Sequence, residues 1–191
     1  MSSPELATLS DEACAARAGQ RDREGITILY ERYYNRVYHF ALARLGAPAD
    51  AEDITQETFL KMVDKMGTFR WTGAPFAAWL FRIAHNCVVD FVRRNAHRGQ
   101  SVPLDTLSLP AEDDPEQEVE RSMAVQTVLG ALRQLSPAQQ EVVSLRFGAG
   151  LSVAETAKVL NKAEGTIKAT QFQALRSVRS ILEAEDGQQG A

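Results

Sequence analysis

The chain has 191 residues, 45% hydrophobic and 24% charged, with a net charge of −4. At ~100–200 residues per domain, that is one ordinary domain or two small ones, apolar enough to exclude wholesale disorder. The charge excludes a uniformly basic nucleic-acid coat, and no stretch approaches the ~18 apolar residues of a membrane span.

The N-terminus, MSSPELATLSDEACAARAGQ, lacks the basic start and apolar run of a secretory signal, so the expected compartment is the cytoplasm, with no membrane insertion. Hydrophobic spacing is helical throughout and no strand alternation occurs, which predicts an all-α fold. Ser10 caps a short helix to about Ala18, with Asp11 and Glu12 in its first turn and Gly19 at its end. A second helix starts near Asp22 and repeats Leu29, Tyr33, Val37, Phe40 and Leu45 until Gly46-Ala47-Pro48 breaks it. Asp50 is expected to cap a third helix to about Met66, with Ile54, Phe59, Leu60 and Val63 inward and Asp50, Asp53, Gln56 and Glu57 outward. A fourth opens at Pro75 and runs to about Arg94. On it Leu80, Ala84, Cys87 and Phe91 share a buried face, and Trp79, Arg82, Asn86, Val89 and Arg93 lie opposite. Phe76 and Trp79 read chiefly as core.

Charge then changes. Residues 100–125 carry Arg121 alone against Asp105, Glu112, Asp113, Asp114, Glu116, Glu118 and Glu120, a net of −6. Pro103, Pro110 and Pro115 and the lack of aromatics complete a linker composition. The expected organisation is a domain over 1–99, an acidic linker over 100–117 and a second domain over 118–191. The bland reading of the linker is a solvated spacer.

Beyond it, a helix is expected over about Glu118–Leu135, and Ser136-Pro137-Ala138-Gln139 is a capping box that opens a helix ending at Gly148. Ser152-Val153-Ala154-Glu155 opens a short helix to Leu160. Asn161-Lys162-Ala163 turns, and a last helix runs from Glu164 to about Leu182, followed by a polar tail read as frayed. Short helix, tight turn and longer helix form the layout of a helix-turn-helix, although a plain helical hairpin shares it. Ile167, Ala174, Val178 and Ile181 make the packing face; Lys168, Ala169, Phe172, Gln173 and Arg176 lie away from it. Residues 158–179 carry a net charge of +4, suited to phosphate. Phe172 either meets a thymine methyl or folds back on the core.

Three stretches carry a family resemblance. LSPAQQEVVSLRF with LSVAETAKVLNKAEGTIKATQFQALRSVR resembles the fourth conserved region of bacterial sigma factors, and more narrowly their extracytoplasmic-function (ECF) group. DAEDITQETFLKMVDKM resembles the region that docks on the polymerase clamp helices, and PFAAWLFRIAHNCVVDFVRRNAHR, preceded by Phe69-Arg70-Trp71, resembles the segment that melts the minus-ten element. Two departures stand out: Ala163 occupies a position that is often a capping serine, and Thr170 and Gln173 replace frequent arginines.

The resemblance implies a sigma factor without catalytic residues, metal or cofactor. It implies partners in core RNA polymerase (its beta and beta-prime subunits), promoter DNA both duplex and single-stranded, and an anti-sigma factor. It assigns Asp50, Asp53, Gln56 and Glu57 to polymerase. Arg70, Trp71, Arg82, Asn86, Arg93 and Arg94 go to the minus-ten element, Trp71 having a lid on the core as its alternative. Lys168, Ala169, Phe172, Gln173 and Arg176 go to the minus-thirty-five element. The competing class is a stand-alone helix-turn-helix regulator with an N-terminal sensory or dimerising domain. No nucleophile elbow, phosphate loop or metal-ligand cluster supports an enzyme, and the single cysteines Cys14 and Cys87 support neither a disulfide framework nor a zinc site.

Overall fold

A computed structural model describes residues 9–67, 69, 75–97 and 125–189, and every regular element among them is helical. The minus-ten candidates Arg70 and Trp71 and the linker over 100–117 lie outside the described residues. None of the described helices is long and apolar enough to cross a membrane.

Local chemistry sets the helix limits. Helix α1 spans Asp11–Gly19, and the Ser10 hydroxyl accepts from the Ala13 amide at its start. Helix α2 spans Arg23–Leu45; Asp22 caps it, and Gly46 ends it in the left-handed region at φ 71°. Glycine takes that conformation with no steric cost from a Cβ. Helix α3 spans Pro48–Met66 and departs from expectation at its start: Ala47 is the cap residue and makes no side-chain bond. Proline in the first turn needs no capping of a missing N–H, so Asp50 acts through the helix dipole and not as a cap. Helix α4 spans Phe76–His97.

In the second half α5 covers 125–133, and α6 spans Pro137–Val143 behind the Ser136/Gln139 capping box. Here the prediction of one helix to Gly148 is refined: Ser144–Gly148 widens into a π-helical turn. Helix α7 spans Val153–Leu160 behind the Ser152/Glu155 box and ends on a left-handed Asn161. Helix α8 spans Glu164–Gln189, so the helix runs well past Leu182 into residues read as a frayed tail.

Buried side chains join the two halves. Phe40, Phe76, Phe81, Leu29, Ile54, Met62 and Leu80 are fully buried between α2, α3 and α4, and Leu145, Ala149, Leu151 and Ala174 continue the same cluster. Gly148 sits so close to α2 that a Cβ there would stand 3.1 Å from the His39 carbonyl oxygen and 3.2 Å from Phe40 Cα. Val142, Ala157 and Ile167 form a small cluster of their own within the helix-turn-helix.

Candidate polymerase and nucleic-acid surfaces

The α3 face follows from its buried stripe. Ala51, Ile54, Thr55, Thr58, Phe59, Met62 and Met66 point inward at steps of one to four residues. The two buried threonines are satisfied by the helix itself, donating to the Ala51 and Ile54 carbonyls at 2.7 Å each. With that stripe fixed, Asp53 and Gln56 are exposed, as expected, and Asp50 and Glu57 are half-buried. Leu60 and Val63, expected inward, are instead 67% and 44% exposed. The helical wheel explains the error: positions 53, 56, 60 and 63 share one face, so Leu60 and Val63 must follow Gln56 outward. The outward face thus combines acid, amide and apolar groups. Glu57 accepts an ion pair from Lys61 Nζ at 2.6 Å and faces the Arg94 guanidinium at 3.9 Å. Residues expected in two separate sites, Glu57 and Arg94, are therefore neighbours.

On α4 the buried face holds Leu80, Ala84 and Cys87 as expected, and Phe91 is half-buried. Phe76 is buried, and Trp79 packs at 4.7 Å from the Phe69 ring and 5.6 Å from Phe76, which fits the core reading of both. Arg82, Asn86, Arg93 and Arg94 are all exposed. Besides Arg94 beside Glu57, Arg93 pairs with Asp90 at 3.0 Å and Arg82 donates to the Lys158 carbonyl of α7.

On α8, Ile167 and Ala174 are fully buried and Val178 and Ile181 half-buried, which fixes the packing face. Lys168, Ala169, Phe172, Gln173 and Arg176 are exposed together. Phe172 is 64% exposed, so it does not fold back on the core. Gln173 and Arg176 line one shallow recess with Ser177 and Ser180, so an amide and a guanidinium stand side by side. That pairing can offer two-point hydrogen bonding to base edges.

Arg146 lies in the stretch that carries the family resemblance, but the sequence assigns it no role. Its Nε donates to Gln171 Oε1 at 2.8 Å and its guanidinium also reaches the Leu151 carbonyl, tying the π-helical turn to α8. Its partners lie on other segments, so the motif marks the residue without showing what it holds.

The family described as Sigma-70 region 2 matches residues 29–98, and Sigma-70, region 4 matches residues 131–180. The ECF RNA polymerase sigma factor BldN of Streptomyces coelicolor is 42% identical over 87% of this chain, which spans 63% of that longer protein. The ECF RNA polymerase sigma factor SigL of Mycobacterium tuberculosis is 31% identical over 93% of this chain and 97% of its own length. Among solved structures, the sigma factor RpoE bound to the anti-sigma factor NepR from Bartonella quintana has a TM-score of 0.67 and 25% identity, over 81% of this chain and 94% of that one. CnrH in complex with the cytosolic domain of CnrY shares the fold, with a TM-score of 0.69 at 24% identity over 91% and 97%.

Proposed function

The chain belongs to the sigma-70 family, in its ECF group, and on that footing we propose that it binds core RNA polymerase, directs it to promoters and helps separate the DNA strands. The observation that carries this reading is the presence of two outward faces of opposite character on one chain. The α3 face, with Asp53, Gln56 and Leu60, suits a protein partner bearing arginines and an apolar ridge. Phosphates would be repelled there. The α8 face, with Lys168, Gln173 and Arg176, suits the major groove of duplex DNA.

The role of α4 in taking a single strand follows from Arg82, Asn86, Arg93 and Arg94, which provide phosphate contacts and one amide able to read a base edge. An anti-sigma factor is a proposed partner, as the solved relative RpoE is bound to one. The chain's own chemistry here is binding and positioning, and polymerase supplies the reaction.

Reconstitution with core RNA polymerase on a promoter library tests the reading. Promoter-specific transcripts are expected, and replacing Asp53, Gln56 and Glu57 together with alanine should weaken core binding while sparing duplex binding by α8. Unchanged core binding in a competition assay would remove α3 from the docking role.

A further inference from the structure

Packing decides which face of α8 looks outward but leaves its rotation to few groups. Ile167 and Ala174 are fully buried, the first with Val142 and Ala157 and the second in the main core. Apolar contact is non-directional, and Ala174 offers a single methyl, so a small turn of the helix about its axis costs little. Base readout tolerates less. With side chains a helix has a radius of about 5–6 Å, so a turn of ~10° carries an outward tip by about 1 Å. A recognition group must be held within ~0.5 Å of its productive place.

One side chain supplies the missing direction. Arg146 Nε donates to Gln171 Oε1, and among the described residues this is the only side-chain hydrogen bond joining α8 to another element; the Arg179–Glu183 bond stays within the helix. The same guanidinium reaches the Leu151 carbonyl, directly ahead of the Ser152 cap of α7. Its planar fork thus sets the entry of α7 and the middle of α8 in a fixed relation.

The backbone aims this fork. In the π-helical turn the Ala149 amide donates to the Ser144 carbonyl, five residues back, and the Ser144 hydroxyl donates to the Gln140 carbonyl at 2.7 Å. A turn of that width admits an extra residue and re-aims those that follow. Leu145, Ala149 and Leu151 are fully buried, so Arg146 stands on a well-anchored stretch. Arg146 and Gln171 are both half-buried, and the two residues after Gln171 are the exposed Phe172 and Gln173.

We propose that Arg146 is a positioning residue for promoter reading: through Gln171 it sets the rotation of α8, and so which base edges Phe172, Gln173 and Arg176 meet, without itself touching DNA. The proposal rests on the reading of α8 as the duplex-reading helix. A guanidinium placed on a phosphate would behave differently, holding all sequences alike.

The test uses holoenzyme reconstituted from the full chain and core RNA polymerase, on a promoter library randomised over the upstream element, at two salt concentrations. Arg146→Ala and Gln171→Leu should each flatten preference at the same one or two positions, by roughly fivefold, and the double variant should flatten it no further. Gln171→Glu keeps an acceptor for Nε. It should retain the wild-type order of preference, with all sequences weakened alike by the added charge. Circular dichroism establishes that each variant is folded; if Arg146→Ala does not fold, the two Gln171 variants carry the comparison.

A uniform loss in Arg146→Ala with a shallower salt dependence, while Gln171→Leu keeps the wild-type preference, would show a direct phosphate contact and overturn the proposal. Folded variants that all keep the wild-type preference overturn it as well. Promoter-specific transcripts from the wild-type holoenzyme report separately on the sigma-factor reading. Their presence with unchanged preference in the variants removes the positioning role alone, and their absence removes both.

Discussion

Between α1 and α4 the interior is made of large rings and long aliphatic chains: Phe40, Phe76 and Phe81 are fully buried, with Tyr33 set edge-on to Phe76 at 5.3 Å. From α6 to α8, the buried side chains that cluster apart from that core are Val142, Ala157 and Ile167, with Val153 and Leu160 packed against them. Most of the second half's other buried apolar side chains, including Leu145 and Leu151, belong to one cluster with the core of the first. A unit with so few large buried groups of its own is only marginally stable alone. The difference teaches that the second half gains much of its apolar burial from its contact with the first.

The comparison can be broken in five ways. Phe81→Ala should destabilise the whole chain by ~3–5 kcal/mol, seen as a single shifted transition in denaturant. Ile167→Ala should cost ~2–5 kcal/mol, with the loss of amide-exchange protection confined to α6–α8; uniform loss across α1–α4 would show that the halves do not differ in the way described. On the proposed DNA reading, Gln173→Ala should relax preference at one or two base pairs by ~1–3 kcal/mol. Lys168→Ala should weaken all sequences alike and flatten the salt dependence, as a promoter-library selection would show. Ser152→Ala removes the capping hydroxyl that accepts from Glu155 at 3.1 Å and should cost ~1 kcal/mol, measured as a lower midpoint of α6–α8 opening.

The smallest effect concerns acid. The His85 ring beside Glu141 holds its carboxyl below the usual carboxylate range, against the burial that raises it, with Arg44 and Lys162 adding to the depression. A depressed carboxylate contributes stability above its unfolded-state value and loses it as pH falls through the folded one. Docking should therefore be insensitive to this group near neutrality and loosen in acid. Glu141→Gln should remove that part of the acid dependence, visible in the denaturation midpoint across a pH series.

Much of this architecture was legible from local signals. The Ser10, Asp22, Ser136 and Ser152 caps and the Gly46 stop act within a few residues of themselves, so a linear reading finds them. The packing face of α8 was legible for the same reason, since Ile167 and Ala174 are two turns apart on one helix. What escaped were features set by partners far away in the chain. Arg36 and the Ala149 carbonyl are 113 positions apart, and any residue offers a carbonyl, so no motif announces the bond. The outward turn of Leu60 escaped because apolar type was weighed above angular position. The π-helical turn escaped because its sequence, SLRFG, differs in no simple way from an ordinary helix end.

Cys14 and Cys87 are both fully buried, and burial pushes each thiol up from its ordinary value; for Cys87, Lys61 only partly offsets this. The thiolate is the form that reacts with peroxide or alkylating agents. Neither sulfur is open to such reagents while the helices around it stay packed. The same shielding makes the two sulfurs natural clocks. Their rate of modification by a small alkylating reagent counts how often α1 and α4 part from their neighbours, with no engineered probe in place.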